Sequence, residues 1–294
     1  MINVLRDRGL LSSVGSDDGL IGYRFVGALY DAFSQLDGLL VSVLSRFWPA
    51  VPHSCPPLLN RSILERIGFF EKLPSIPFHV APHQVPASDR ADKQWLLSPS
   101  TCYHTFSLLS GNGQQQWPLR RFTAISNCHR FEPEGGNPLR MASFSMREFV
   151  FVGERELVER ESEAAFMYAV AFLRGAGFSI DLEVASDIFY GEGSAATRKV
   201  QKAMGVKLEA VTMGPAGVRG SVASRNFHRD LFTSTFGIGN DDQSCRMHSA
   251  CVAFGIERLL LSLLAATEDF DPVRLIDLLR RSAELIEAPE GSII

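Results

Sequence analysis

Residues 121–153, RFTAISNCHRFEPEGGNPLRMASFSMREFVFVG, constrain this chain more than any other stretch. Two runs of extended character, 122–132 and 140–152, flank EPEGGNP, whose glycines and prolines interrupt regular structure. The pattern predicts a long antiparallel hairpin. Side chains on a strand alternate between faces. Cys128, Arg130 and Glu132 then share one face of the first strand, and Arg140, Phe144, Met146 and Glu148 one face of the second. Arginine forks match phosphate oxygens and an aromatic ring can stack on a purine, so such a face has what ATP requires. A salt-bridged sheet surface with one exposed Phe carries the same pattern.

The rest of the chain surrounds this hairpin with mixed elements. Val26, Leu29, Phe33, Leu36, Leu40, Val43 and Phe47 recur at helical spacing over 24–47, and Pro49 and Pro52 end that helix. A proline-rich segment (53–90) holds a short helix near 60–68. A short strand, a turn at Ser98–Pro99 and a helix follow over 94–111. A charged amphipathic helix is expected at 155–174, ended by Gly175 and Gly177. Extended chain follows at 178–190, and Ser194 can cap a helix over 195–204. Strands are expected at 207–213, 218–224 and 230–238, then an apolar helix from 249 to 266 and an amphipathic one from 271 to 286. This interspersion lacks a regular strand–helix alternation, so the fold class is α+β with a mostly antiparallel sheet flanked by helices. We divide the chain into an N-terminal helical segment, 1–52, and a catalytic domain, 53–294.

Composition removes some classes of function. A formal net charge of −4 argues against a protein devoted to gripping nucleic acid. No apolar run reaches the roughly 18 residues of a membrane span, and the first residues lack the pattern of a signal peptide. A cytoplasmic location is expected. The five cysteines are odd in number and widely spaced, unlike a secreted disulfide framework. Each is then a buried thiol, a metal ligand or a nucleophile. Cys128 and His129 are adjacent on a strand and point apart, whereas Cys245, His248 and Cys251 have the spacing to share a metal if they lie on a helix.

HRFEPEGGNPLRMASFSMREFVF resembles motif 2 of the class II aminoacyl-tRNA synthetases, of the seryl type, through Arg130, Glu132, Arg140, Phe144 and Glu148. AFGIERLLLSLL resembles motif 3, with Gly255 and Arg258, and 55–74 resembles motif 1, the dimer-forming helix and strand with a proline. The resemblance spans about 55–267. It implies a homodimer with a class II catalytic domain. Arg130 would hold the α-phosphate and the amino-acid carboxylate, Glu132 the adenine, Phe144 would stack on the base, and Arg258 would grip the γ-phosphate. Backbone around Leu139 and Arg140 would also meet the nucleotide, and Ser224 and Asn226 would lie near the amino acid.

Within the class, the chain resembles the archaeal-type seryl-tRNA synthetases and their shortened bacterial relatives, the amino acid:[carrier protein] ligases. There a Cys/Glu/Cys zinc site binds the substrate's α-amino group, which maps here onto Cys102, Glu148 and Cys251. The implied reaction uses ATP and Mg²⁺ to make an aminoacyl-adenylate of glycine or alanine. The product then passes to the phosphopantetheine thiol of a carrier protein, with no protein nucleophile. With motif 1 near residue 55 there is no room for a tRNA-binding arm, so tRNA is not the expected acceptor. A zinc-dependent aminoacyl-tRNA synthetase and a non-catalytic paralogue are the alternatives. Arg198, Lys199 and Lys202 would give the 195–204 helix a basic face suited to an acidic carrier, or simply a solvated charged face. One departure stands out: the glutamate that seryl-type enzymes place six residues before the position of Asn226 is Gly220, leaving Glu209 as a possible substitute.

Overall fold

A computed structural model describes residues 1–16, 19–73, 76–81, 83, 94–110, 117–131, 137–186, 199, 205–239 and 246–289. Its elements are α1 (Ile2–Asp7), β1 (Leu11–Ser16), β2 (Gly19–Phe25), α2 (Ala28–Ser45), β3 (Val51–Pro52), β4 (Leu58–Asn60), α3 (Arg61–Arg66), α4 (Phe69–Lys72), β5 (His79–Val80) and β6 (Trp95–Leu97). There follow α5 (Cys102–Leu109), β7 (Leu119–His129), β8 (Ser143–Gly153), α6 (Arg155–Gly175), β9 (Asp181–Val184), β10 (Lys207–Met213), β11 (Arg219–Arg229), α7 (Leu231–Phe236), β12 (His248–Gly255), α8 (Ile256–Ala265) and α9 (Pro272–Leu285).

The central sheet has seven strands in the order β3-β7-β8-β12-β11-β10-β9. All neighbours are antiparallel except β3 and β7. The two long strands of the expected hairpin, β7 and β8, pair from Leu119↔Gly153 to His129↔Ser143. Strand β8 is buried along almost its whole length, because it lies between β7 and β12 and is covered on both faces. Phe149 and Phe151 point into a core shared with α2, α6, α8 and α9. Val150 and Val152 meet a second cluster with Phe106 of α5 and Phe232 and Phe236 of α7. Between these covers, Phe144, Met146 and Glu148 are left facing a cavity. The long helix α2 is tied to β8 by a partly buried ion pair: Arg147 donates to both carboxylate oxygens of Asp37, Nε to Oδ1 at 2.7 Å and Nη2 to Oδ2 at 2.5 Å.

Four expectations need correction. Residues 231–236 form the short helix α7, ended by Gly237 in the left-handed region, where a strand over 230–238 was expected. The apolar run from 249 is strand β12, and helix begins only at Ile256. A continuous apolar stretch is the mark of a strand buried on both faces as much as of a core helix. The first 52 residues are not purely helical: they include the hairpin β1–β2, and Leu5, Leu11 and Leu29 join the same core as the sheet. Finally, 55–74 forms β4, α3 and α4, whereas a long helix followed by a strand with a proline lies upstream as α2 and β3, with Pro52 beside Thr123 of β7.

Candidate active site

The antiparallel register decides which side chains meet. Asn226 of β11 sits opposite Cys251 of β12, and Ala253 sits opposite Glu148 of β8. Cys102 enters from the first turn of α5, which lies across β8. The Cys102, Glu148 and Cys251 ligand atoms all lie within 4.8 Å of one another, and all three residues are buried.

The two carboxylate oxygens of Glu148 differ sharply. Oε1 accepts from Ser100 Oγ at 2.9 Å, Thr101 N at 3.2 Å and Cys102 N at 3.3 Å. Oε2 is buried and without a protein partner. An orphaned buried carboxylate oxygen costs free energy unless a cation or proton meets it. The thiols tell the same story. Cys102 is pushed well above its ordinary value by its contact with Cys251, by burial and by Glu148. Cys251 is also raised; its contact with Cys102 works the other way, but burial and the nearby Glu148 outweigh it. Two sulfurs and one carboxylate oxygen suit a tetrahedral zinc with one position open.

Of the supports of this cluster, the sequence points to Asn226 alone, as a residue near the amino acid; Ser100, Thr101 and His228 were missed. Ser100 and the Thr101 and Cys102 amides fix Glu148. Asn226 donates to Cys251 Sγ at 3.6 Å, and His228 Nε2 lies 3.5 Å from the same sulfur while its Nδ1 lies 3.2 Å from Ser249 Oγ. Only alternation along β11, from Ser224 through Asn226 to His228, could have pointed to His228. The alternative trio of Cys245, His248 and Cys251 loses its premise, since β12 is a strand and His248 and Cys251 point to opposite faces; Cys245 lies outside the described residues. Among the described residues the cysteines are free thiols.

The same cavity, about 880 Å³, is lined by Arg130, Arg140, Phe144 and Arg258 as well as by the cluster. Arg130 donates from Nε to Pro99 O at 2.8 Å, and its guanidinium carbon lies 5.5 Å from the centre of the Phe144 ring. Arg258 donates from Nε to Leu139 O at 3.1 Å and from Nη1 to Ser221 O at 3.2 Å. Ser224 lines the cavity and accepts from Asn226 Nδ2 at 3.3 Å. Glu132, Arg198 and Lys202 lie outside the described residues; Lys199 is exposed.

The structure gives Gly220 a packing reason. A Cβ there would stand 2.8 Å from Leu139 Cδ1, and one at Gly214 would meet the same atom at the same distance. Leu139, only 2 % exposed, fills the space that side chains at 214 and 220 would take. Glu209 lines the cavity and pairs with Lys207 at 3.3 Å. Gly220→Ala is expected to cost about 1–3 kcal/mol by overpacking, and Leu139→Ala about 2–5 kcal/mol by its cavity. Because one contact underlies both, the double variant is expected to fall short of their sum by about 1 kcal/mol. Denaturant unfolding of the three variants checks this, and strict additivity would refute the wedge.

No family model matches the chain. Among curated proteins, "Amino acid--[acyl-carrier-protein] ligase 2" of Bradyrhizobium diazoefficiens is 30% identical over 226 residues, 71% of this chain and 67% of that one. The chain belongs to the amino acid–[acyl-carrier-protein] ligase family. Ligase 1 of the same organism is 28% identical over 273 residues, covering 86% of this chain and 81% of the relative. Seryl-tRNA synthetases share the fold. The M. kandleri enzyme, solved with A. aeolicus tRNASec, superposes with a TM-score of 0.74 over 99% of this chain at 15% identity. The Pyrococcus horikoshii enzyme, complexed with ATP, gives 0.71 over 95% at 14% identity. The matched region spans 62% of each of those synthetase chains. The mostly antiparallel α+β fold, and the class II architecture that the motif resemblance implied, are therefore the fold of this family member. Among the described residues no helix is long and apolar enough to cross a membrane.

Proposed function

We propose that the chain activates a small amino acid, glycine or alanine, with ATP and transfers it to the phosphopantetheine thiol of a carrier protein in the cytoplasm. The observation that carries this reading is that a Cys/Glu/Cys cluster with an orphaned carboxylate oxygen and two fixed arginines open into one cavity. In the first step a carboxylate oxygen of the amino acid forms a bond to the α-phosphorus and pyrophosphate leaves. Arg130 spans the α-phosphate and the carboxylate, and Arg258 holds the γ-phosphate, so both face charge that develops during transfer. Phe144 stacks on the base, backbone at Leu139 and Arg140 meets the nucleotide, and Glu132 positions the adenine. Mg²⁺ would accompany the triphosphate, and Glu209, which lines the cavity, is the acid we assign to it. In the second step the carrier thiol attacks the carbonyl carbon, AMP leaves and the thiol proton passes to solvent.

Cys102, Glu148 and Cys251 would hold a zinc ion, which when bound would supply a Lewis-acid contact for the neutral α-amine and so orient the amino acid. Around it Asn226 and His228 steady Cys251, Ser100 steadies Glu148, and Ser224 orients Asn226. The chain acts as a homodimer in this reading. Val51 of the edge strand β3, Leu58 of the edge strand β4 and Trp95 of β6 are 52%, 40% and 49% exposed, as a covered interface requires; a monomer in sedimentation equilibrium would count against it.

ATP–pyrophosphate exchange with a panel of amino acids tests activation, and exchange with none of them would leave a non-catalytic binding role. Holo carrier and tRNA offered in parallel test the acceptor: thioester on the carrier is the expected product, and aminoacyl-tRNA alone would mark a synthetase. Carrier docking is assigned to Arg198, Lys199 and Lys202. Reversing all three charges is expected to raise the KM for carrier about tenfold at low salt and leave exchange unchanged. An unaltered KM would place docking elsewhere.

A further inference from the structure

The N-terminal hairpin β1–β2 has no part in the reaction above, yet it bonds residues that flank Leu139, Arg140 and Phe144 in the cavity wall. The Ala142 amide donates to Leu20 O at 3.0 Å, and the Tyr23 hydroxyl donates to Pro138 O at 2.9 Å. The backbones approach closely, for a Cβ at Gly22 would stand 3.1 Å from Ser143 O. Leu20 and Tyr23 also pack on the small cluster of Cys128, Met141, Phe144, Met146 and Ala253. Arg258 of α8 holds Leu139 O. Consecutive carbonyls of one short segment, Pro138 and Leu139, are thus held by two different elements, β2 and α8.

The hairpin can bear that load. Val26 N donates to Leu10 O at 2.9 Å, closing the base of the hairpin, and Leu11 is buried in the main core. The Tyr23 ring stacks on Phe25 at 6.3 Å, and Phe25 meets Phe33 of α2 at 5.6 Å. Helix α2 is in turn tied to β8 through Asp37 and Arg147. The strut, the segment it holds and the strand that carries Phe144 therefore form one braced unit.

We infer that hairpin β1–β2 is a strut for the nucleotide half of the site, and that Tyr23 is a positioning residue for ATP and not for the amino acid. The hairpin acts through Pro138, held by Tyr23, and Ala142, held by Leu20, which bracket Leu139 and Arg140, the residues whose backbone meets the nucleotide in this reading. This inference rests on reading the Arg130–Phe144–Arg258 end of the cavity as the ATP site.

Tyr23→Phe removes one hydroxyl and leaves the ring packing intact. The KM for ATP in pyrophosphate exchange is expected to rise about fivefold, or about 1 kcal/mol, the worth of one hydrogen bond. The KM for the amino acid is expected to stay within twofold. Calorimetric binding of ATP is expected to weaken by the same factor. A merely structural role would move both substrates alike or neither. Should Tyr23→Phe fail to fold, Gly22→Ala, which crowds Ser143 O, carries the same expectation. Unchanged ATP constants in the variant that folds, or equal rises for both substrates, would overturn the strut while the site reading stands. A wild-type chain that neither exchanges pyrophosphate nor binds ATP would overturn the site reading and the strut with it.

Discussion

Glu148→Gln is expected to strip zinc from the chain and lower amino-acid-dependent pyrophosphate exchange by about 10³-fold, because a neutral amide is a poor zinc ligand where a carboxylate is needed. The variant separates the metal's role from folding. Glutamine keeps the size of the side chain, and its carbonyl can still accept from Ser100, Thr101 N and Cys102 N, so the 100–102 turn holds. The amide nitrogen replaces an oxygen that has no protein partner. Metal-free stability is therefore expected to be unchanged or slightly higher. The wild-type chain, by contrast, gains about 4 kcal/mol when zinc stands at about a thousand times its dissociation constant. Thermal unfolding with and without zinc is expected to show a large shift for the wild type and none for Glu148→Gln, and metal analysis about one zinc against none. Equal zinc content and undiminished exchange in the variant would end the assignment of Cys102, Glu148 and Cys251. A second arm follows from the amine: glycolate, which has a hydroxyl in place of the amine of glycine, is expected to be rejected by the wild type.

What the sequence made legible follows from range. The β7–β8 hairpin is a local feature: alternation and the EPEGGNP turn specify it, and both lie within one continuous stretch. The cavity face of Phe144, Met146 and Glu148 follows from the same alternation. The Cys/Glu/Cys cluster depends on three segments brought together by the register of β8 with β12 and by the docking of α5, which no spacing reveals; only resemblance pointed there. Burial explains the misreadings. His248–Gly255 reads as helix because a strand covered on both faces loses its alternation. Residues 231–236 read as strand because a six-residue helix is too short to establish a period. The hairpin β1–β2 escaped although the sequence DDG at 17–19 is a turn signal and Ile21, Tyr23 and Phe25 alternate after it, since the flank before it, SSVGS, has Val14 as its single apolar residue and shows no alternation to match. Its value lies in long-range contacts with Pro138 and Ala142, which no local pattern encodes. Gly220 reads in sequence as a lost acid and in structure as room for Leu139. Composition is silent on such a substitution because Gly220 and the Leu139 side chain that fills its space lie far apart in sequence.

Arg130→Lys preserves charge and is nonetheless expected to lower kcat/KM for amino-acid activation by about 10²–10³-fold, or about 3–4 kcal/mol. The reason is geometric. Arg130 is set by its Nε donation to Pro99 O, which orients the plane of the fork, and by its position over Phe144. A lysine has no second row of donors: its ammonium can meet Pro99 O or the phosphate, and it cannot bridge carboxylate and α-phosphate in bidentate fashion. The loss is expected mainly in kcat, since the bridge tightens as the carboxylate closes on phosphorus. It is expected to be the same from pH 6 to 9, because neither side chain changes charge across that range. Arg130→Ala is expected to fall further and to recover in part when free guanidinium is supplied, whereas Phe144→Ala, which loses a stacking surface, is expected to show a raised KM for ATP and no such recovery. A lysine variant within about threefold of the wild type would mean that Arg130 contributes charge alone, and the bidentate bridge would have to be abandoned.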